Sequence, residues 1–302
     1  MFEKILLPLD GSELAEAAIP YVRDLAGQIG AEIFLLHVCP PVHQHYLHMH
    51  QIYMNSLADG LRKQIQEIRQ TGQEPKIESD IIVGEAIKAI FDFVKQKGIS
   101  LIVLTSHGSS GFRQWPLGSV ADKVVRGIGI TSLLIRVKNG VSMPQRKALI
   151  QKILVPLDNS EASQISVPYA TELALKLKAG ISLFSMANTI YIQNYDAMGV
   201  GGGAIGVNWD AIDASTEKYV DEYLQKIEME VRNAGVTVDH TSYLGLDAAF
   251  EILEMEKKTQ ADLVVMATRG RSPVARWAFG SVAEKVLREG NLPILMVKEK
   301  AA

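Results

Sequence analysis

The chain has one cysteine, Cys39, in 302 residues, and this scarcity excludes both an internal disulfide framework and an all-cysteine zinc site. A reducing compartment is the simplest setting for such a chain. Positive charge is not in excess either, because 31 basic residues stand against 34 acidic ones and the net charge is −3. General nucleic-acid binders are normally basic, so no nucleic-acid partner is expected.

Long apolar runs are also missing. The most hydrophobic stretches, such as residues 128–137, are shorter than the roughly 18 residues of a membrane span. The N-terminus reads MFEKILLP and turns directly into a strand pattern, without the basic and apolar regions of a signal peptide. We therefore expect a cytoplasmic protein with no membrane partner.

One segment of the chain occurs twice. Residues 3–26 read EKILLPLDGSELAEAAIPYVRDLA and residues 151–174 read QKILVPLDNSEASQISVPYATELA, with 12 of 24 positions identical. A second pair follows, GSVADKVVR at 118–126 and GSVAEKVLR at 280–288. This repetition predicts two tandem copies of one domain, at residues 1–140 and 150–302. Turn-forming and charged residues at about 139–150 predict the linker between them.

Each half alternates short apolar runs with longer amphipathic stretches, which predicts βαβ units and a parallel sheet. Strands are expected at Lys4–Leu9, Glu32–Val38, Ile77–Val83, Leu101–Thr105 and Ser132–Val137, and again at Lys152–Leu157, Ile181–Met186, Val236–Tyr243, Leu263–Ala267 and Pro293–Lys298. Helices are expected at Glu13–Ile29, Met54–Thr71, Glu85–Lys97, Ser119–Gly127 and Asp210–Asn233. In such a sheet helices cover both faces, and ligands bind beyond the carboxyl ends of the strands.

An aspartate follows the first strand of each half, Asp10 in PLDGSE and Asp158 in PLDNSE. The serines two residues later, Ser12 and Ser160, are expected helix N-caps. Two interpretations of the aspartates stay open. They either serve only the turn, or face the crevice and accept hydrogen bonds from a ligand.

The fourth strand of each half is followed by a glycine, nine residues and a Gly-Ser pair. The two copies are Gly108 with Gly118-Ser119, and Gly270 with Gly280-Ser281. Each pair opens a helix, whose first N–H groups and positive dipole end suit a phosphate. The arginines in these loops are either phosphate partners or solvated surface: Arg113, Arg269, Arg271 and Arg276. The glycines after the third strands, Gly84 and Gly245, either admit a flat ligand or only form a turn.

Both halves resemble universal stress protein domains, and the whole chain resembles a tandem universal stress protein. The resemblance rests on ILLPLDGSE and ILVPLDNSE, and on SHG-x9-GSVADKVVR and TRG-x9-GSVAEKVLR, each followed by a terminal strand. It implies in each half a five-stranded, doubly wound parallel sheet of order 3-2-1-4-5, an α/β fold related to the adenine nucleotide alpha-hydrolases. It also implies a stress-response regulatory protein of a family in which some members bind ATP or AMP.

Nucleotide-binding members carry Gly-x2-Gly-x9-Gly-Ser/Thr, and this chain departs from it at the first glycine, with Thr105 and Ala267. Both residues are small, so we expect ATP or AMP to bind, with magnesium left open and no catalytic or metal-binding residue. By resemblance, the first site comprises Pro8, Asp10, Val38, Gly84, Thr105, His107, Gly108, Gly118, Ser119 and Val120. The second comprises Pro156, Asp158, Met186, Gly245, Ala267, Arg269, Gly270, Gly280, Ser281 and Val282. Arg269 replaces His107 and Pro273 replaces Gly111, so the two sites are expected to differ.

Three other features are interpreted as structural. His43, His45, His48 and His50 fit neither one helix face nor one strand face, which favours a mobile polar loop over a metal site. The glycine-rich residues 197–206 lack Gly-Lys-Ser/Thr, which favours a flap over a phosphate loop. Pro20 and Pro168 predict a kink in the first helix of each half.

Two further functions stay open, a nucleotide-free dimerisation and interaction module, and a slow ATPase that uses Asp10, Asp158 or His107. The terminal strands Ser132–Val137 and Ile294–Val297 would leave open sheet edges. We expect these edges to pair, so that the two halves form an intramolecular pseudo-dimer about an approximate twofold axis. A homodimer of two chains stays open.

Overall fold

A computed structural model describes residues 1–69, 74–108, 117–137, 149–188, 209–268 and 279–298. The chain divides into two compact units. The first comprises Met1–Gln151, Ala275–Ala278 and Asn291–Ala302, and the second comprises Lys152–Val274 and Phe279–Gly290. Most of the predicted linker and the whole glycine-rich segment lie outside the described residues. None of the helices in the described ranges is long and apolar enough to cross a membrane.

The first unit contains five parallel strands whose bounds follow the apolar runs of the sequence. They are β1 (Lys4–Leu9), β2 (Glu32–Cys39), β3 (Ile77–Val83), β4 (Leu101–Thr105) and β5 (Thr131–Ile135). Their order is β3-β2-β1-β4-β5, as the resemblance implied, so this expectation is confirmed. Every residue of β4 and β5 is buried, as expected for strands covered on both faces.

The helices of the first unit are α1 (Glu13–Glu16), α2 (Ile19–Ile29), α3 (Leu47–Arg69), α4 (Ala86–Lys97) and α5 (Ser119–Gly127). The single helix expected at 13–29 is divided before Pro20, which occupies the first turn of α2. The missing proline N–H costs little there, because first-turn N–H groups have no partner within the helix. The sequence predicts one kinked helix around Pro20, and the structure instead has two separate helices, α1 and α2.

The prediction of a mobile loop for the histidine-rich stretch is wrong. Residues Pro41–Tyr46 form a 3-10 helix, and α3 begins at Leu47 rather than at Met54. The ring of His50 stacks on His37 with centroids 4.3 Å apart, and the Tyr53 hydroxyl donates to Glu16 at 2.8 Å. These tertiary contacts fix the first turns of a helix whose outward residues show no clear apolar period.

The second unit repeats the arrangement. Its strands are β6 (Lys152–Leu157), β7 (Gly180–Asn188), β8 (Val238–Gly245) and β9 (Leu263–Ala267), in the parallel order β8-β7-β6-β9. Its helices are α6 (Glu161–Gln164), α7 (Ser166–Leu177), α8 (Trp209–Asn233), α9 (Ala248–Lys258) and α10 (Ser281–Glu289). This order matches that of the first four strands of the first unit.

The last strand, β10 (Ile294–Val297), lies in the first unit and pairs antiparallel with β5. Leu295 faces Leu133 and Ile294 faces Leu134 in this register. The ladder covers the N–H and C=O groups of β5 that would otherwise form an open edge. The Lys298 ammonium adds a hydrogen bond of 2.5 Å to the Ile128 carbonyl.

Candidate functional site

A cavity of about 230 Å³ lies at the carboxyl ends of the strands in the first unit. It is lined by Pro8, Leu9, Asp10, Ala15, Leu36, Val38, Ala86, Ile90, Leu104, Thr105, His107, Gly108, Gly118, Ser119, Val120 and Ala121. All the residues predicted for the first site are in this lining except Gly84. The cavity therefore brings together the ends of β1, β2 and β4 and the first turn of α5, the arrangement typical of ligand sites in doubly wound sheets.

The two carboxylate oxygens of Asp10, at the mouth of this cavity, make different contacts. Its Oδ1 atom accepts hydrogen bonds from the Ser12 amide at 3.1 Å and the Ser12 hydroxyl at 2.6 Å, while Ser12 in turn caps α1. Its Oδ2 atom lies against Gly108, so close that a Cβ atom on this glycine would come within 2.3 Å of it. The carboxylate is thus held by the turn and also faces the crevice, so both interpretations of Asp10 describe part of its environment.

The turn after β4 is fixed by its own hydrogen bonds. The Thr105 hydroxyl donates to the His107 carbonyl at 2.7 Å, and the Gly118 amide donates to the Ser106 carbonyl at 2.7 Å. The Ser106 hydroxyl accepts from the Val137 amide and contacts the Nδ1 atom of His107 at 3.1 Å. Threonine at the position of the first motif glycine therefore binds the backbone of the turn and stiffens it. The contact with Ser106 holds the His107 ring in one orientation in the turn.

The first turn of α5 is left without a side-chain cap. Ser12 and Glu85 cap α1 and α4 with their side chains, whereas the N-cap of α5 is Gly118, which makes no side-chain hydrogen bond. The first N–H groups of any helix lack partners within it and carry the positive end of the dipole. At α5 they border the cavity, so an anion is favoured there.

Seven lining residues were not singled out from the sequence: Leu9, Ala15, Leu36, Ala86, Ile90, Leu104 and Ala121. All are apolar and read as ordinary core. Strand alternation could have found Leu36, which lies two residues before Val38 and so shares its face. Helix spacing could have found Ile90, four residues after Ala86. These residues give the cavity an apolar floor.

The second unit keeps the frame of this site. Asp158 Oδ1 accepts from the Ser160 amide at 3.1 Å and from the Ser160 hydroxyl at 2.5 Å. The Gly280 amide donates to the Thr268 carbonyl at 3.0 Å, the counterpart of the Gly118 contact, and Gly280 likewise starts α10 without a side-chain cap. The bonds from serine to the strand-end aspartate and from the N-cap glycine to the turn are therefore shared by the two units, whereas Ala267 has no hydroxyl to repeat the Thr105 bond.

The remaining predicted residues of the second site fall into two groups. Pro156, Met186, Gly245 and Ala267 lie at or next to the ends of β6–β9, and Ser281 and Val282 form the first turn of α10. Arg269 and Gly270 lie outside the described residues, as do Pro273, Arg113, Arg271 and Arg276. The proposed arginine contacts thus stay predictions.

A buried histidine lies behind the first site. His37 is 4% exposed, pairs with Leu9 across the strands and contacts the Leu9 carbonyl through Nδ1 at 2.9 Å. Burial lowers the pKa of His37 below its usual 6.5, and the neighbouring His50 lowers it further, against the raising effects of the Leu9 carbonyl and Asp10. Within the described ranges, no group of three or more His, Cys, Asp or Glu side chains is arranged to hold a metal ion.

Comparison with known proteins connects this geometry to one family. The sequence matches the model of the universal stress protein family over residues 1–136 and 149–298. A universal stress protein of Methanocaldococcus jannaschii is 32% identical over 151 residues, which span 50% of this chain and 84% of that protein. A universal stress protein of Mycobacterium tuberculosis is 22% identical over 307 residues, or 98% and 96% of the two chains.

A solved structure supports the fold over the whole length. The universal stress protein from Archaeoglobus fulgidus aligns with a TM-score of 0.70 and 19% identity, covering 100% of both chains. At this low identity the likeness concerns the fold alone.

Proposed function

The chain belongs to the universal stress protein family, and from this premise we propose that it binds ATP or AMP in the crevice of its first unit. Binding of the nucleotide would serve regulation, with no efficient catalysis. The observation that carries the proposal is the cavity whose lining joins an apolar floor to the uncapped first turn of α5. A flat base suits the floor, and a phosphate suits the helix N-terminus.

The apolar and polar residues that line the cavity suit the base and the phosphate, respectively. Leu36, Val38 and Ile90 provide apolar contact area for a base, and the carboxylate of Asp10 provides an acceptor at the mouth. The Ser119 hydroxyl stands at the first position of α5 and supplies a donor for a phosphate oxygen. At about 230 Å³ the cavity is below the roughly 300–1,000 Å³ typical of small-molecule sites, so it accommodates the nucleoside part better than a whole triphosphate.

Catalysis is not part of the proposal. The groups considered for an ATPase are engaged in the turn, since Asp10 accepts from Ser12 and the His107 ring contacts Ser106. A cytoplasmic location and an intramolecular pseudo-dimer of the two repeats accompany the proposal.

The test begins with freshly purified full-length protein. It is denatured, and the supernatant is analysed by mass spectrometry for ATP and AMP. Protein freed of nucleotide is then titrated with each nucleotide by calorimetry. We expect released nucleotide, and an affinity that falls about tenfold in Ser119→Ala through loss of one phosphate hydrogen bond.

The repeat supplies the control. Ser281 occupies the same helix position in the second unit, so Ser281→Ala tests whether the effect belongs to the first crevice. An empty supernatant together with no binding of added ATP or AMP would refute the proposal. It would favour the nucleotide-free interaction module instead.

A further inference from the structure

The space beside the glycine that follows the third strand differs between the two units. At Gly84, which follows β3, a Cβ atom would meet nothing within 4 Å. At Gly245, its counterpart at the end of β8, a Cβ atom would lie 2.9 Å from the Met186 sulfur and 3.3 Å from the Tyr243 ring. The space that is open beside the first glycine is therefore occupied beside the second.

Strand register identifies the residues responsible. Leu9 pairs with His37 and Leu157 pairs with Ser185, so Met186 stands where the first unit has Val38. Val38 lines the cavity of the first unit. A longer, unbranched side chain at this position reaches across the strand ends toward Gly245, which the shorter valine cannot do.

The floor of the second crevice is also bulkier. Pro8 pairs with Leu36 and Pro156 pairs with Phe184, so a buried phenylalanine replaces a leucine of the cavity lining. Packed interiors do not absorb added volume without strain, so a larger floor residue takes space from the cavity above it. The Tyr243 ring beside Met186 is further held by the Lys258 ammonium, 5.9 Å from its centroid.

We propose that the thioether side chain of Met186 closes the second crevice to the adenine base, so that each chain binds one nucleotide, in its first unit. This inference rests on the proposed function and names its specificity-determining residue. The turn at Asp158 and the uncapped start of α10 are retained, so among the described residues the difference lies at the base end.

The experiment exchanges the two residues and counts sites. Equilibrium dialysis with radiolabelled ATP on the full chain should give one site in the wild type and two in Met186→Val. Val38→Met should remove the single site or weaken it at least tenfold. Combining both substitutions should return one site per chain. Thermal unfolding of each variant checks that the fold is kept.

A second variant tests the contribution of Phe184 in the floor of the second crevice. If Met186→Val alone adds no site, the combination with Phe184→Leu should add it, and failure of both would overturn the proposal. Two sites in the wild type, or a single site that survives Val38→Met, would also overturn it and leave nucleotide binding itself intact. No binding by the wild type would instead refute the proposed function.

Discussion

At the residue after the strand-end aspartate, the two repeats reach the same backbone conformation with different side chains. The first repeat has Gly11 with φ of 80°, and the second has Asn159 with φ of 62°. Asparagine tolerates this left-handed region better than most residues, and its Oδ1 atom accepts a hydrogen bond from Ser185 at 3.0 Å. The left-handed conformation of the turn beside the aspartate is thus provided by glycine in the first repeat and by a hydrogen-bonded asparagine in the second.

The side chains inside the crevices differ more than the turns do. Val38 and Leu36 leave a cavity in the first unit, while Met186 and Phe184 stand at the same register in the second. Backbone hydrogen bonds at Ser160 and Gly280 constrain the frame, whereas no such bond constrains which apolar residue fills it. Two copies of one domain can therefore share a frame and diverge in what the frame admits.

The largest effect is expected from Gly108→Ala. The new methyl group would lie 2.3 Å from Asp10 Oδ2, and Asp10 cannot move without losing its hydrogen bonds to Ser12. We expect a loss of about 1–3 kcal/mol in the free energy of unfolding, the range for overpacked sites, measured by urea denaturation.

Gly118→Ala is the matched control for this prediction. Its methyl group would approach the Ser106 carbonyl only to 3.4 Å and the φ of −65° suits alanine, so the cost in unfolding free energy should be about 0.5–1 kcal/mol, from the poorer N-cap that alanine makes. Equal costs at both glycines would show that Asp10 does not define the turn.

The repeats also differ at one packing position of the helix that follows the first strand. Gly27 lies in α2, and a Cβ atom there would be 2.7 Å from the Ile68 Cγ2 atom of α3. The repeat offset of 148 residues puts Leu175 at the same position of α7, where it is 47% exposed. Gly27→Ala should therefore cost about 1 kcal/mol in unfolding free energy, because the Ile68 side chain has to shift from its base.

The repeat again offers the control. Leu175→Ala removes a half-exposed side chain and should cost less than Gly27→Ala. Combining Gly27→Ala with Ile68→Leu, which lacks the Cγ2 atom, should recover part of the loss, which a double-mutant cycle measures. If the two substitutions add without coupling, the close approach of Gly27 to Ile68 does not limit the packing of α2 on α3.

The sequence predicts the strands better than the side-chain arrangement around them. The runs at Lys4–Leu9 and Leu101–Thr105 match β1 and β4 residue for residue, because continuous apolar runs report burial on both faces. The start of α3 was missed since His50 and Tyr53 are fixed by tertiary contacts that leave no local pattern.

The same limit applies within the crevices. The position of Met186 relative to Gly245 depends on a rotamer and on the neighbouring Tyr243 ring, neither of which the spacing of motifs encodes. Aspartate, glycine and serine were identifiable because turns and helix starts restrict residue type, whereas Leu36 and Phe184 are each acceptable core residues.

The smallest effect is expected at His37, whose counterpart in the second unit is Ser185. Burial lowers the pKa of His37 in the folded chain, so the unfolded chain takes up a proton more readily as the pH falls below about 6.5. Above that pH the ring is neutral in both states and adds no pH dependence. Folding stability should therefore decrease from pH 7.5 to 5.5, and the decrease is small because this window extends only one pH unit below the pKa of the unfolded chain.

Replacement by the residue of the second repeat removes this titration. His37→Ser should reduce the difference in unfolding free energy between pH 7.5 and 5.5, measured by urea denaturation, whatever its effect on absolute stability. An unchanged difference in His37→Ser would mean that groups other than His37 cause the loss of stability between pH 7.5 and 5.5.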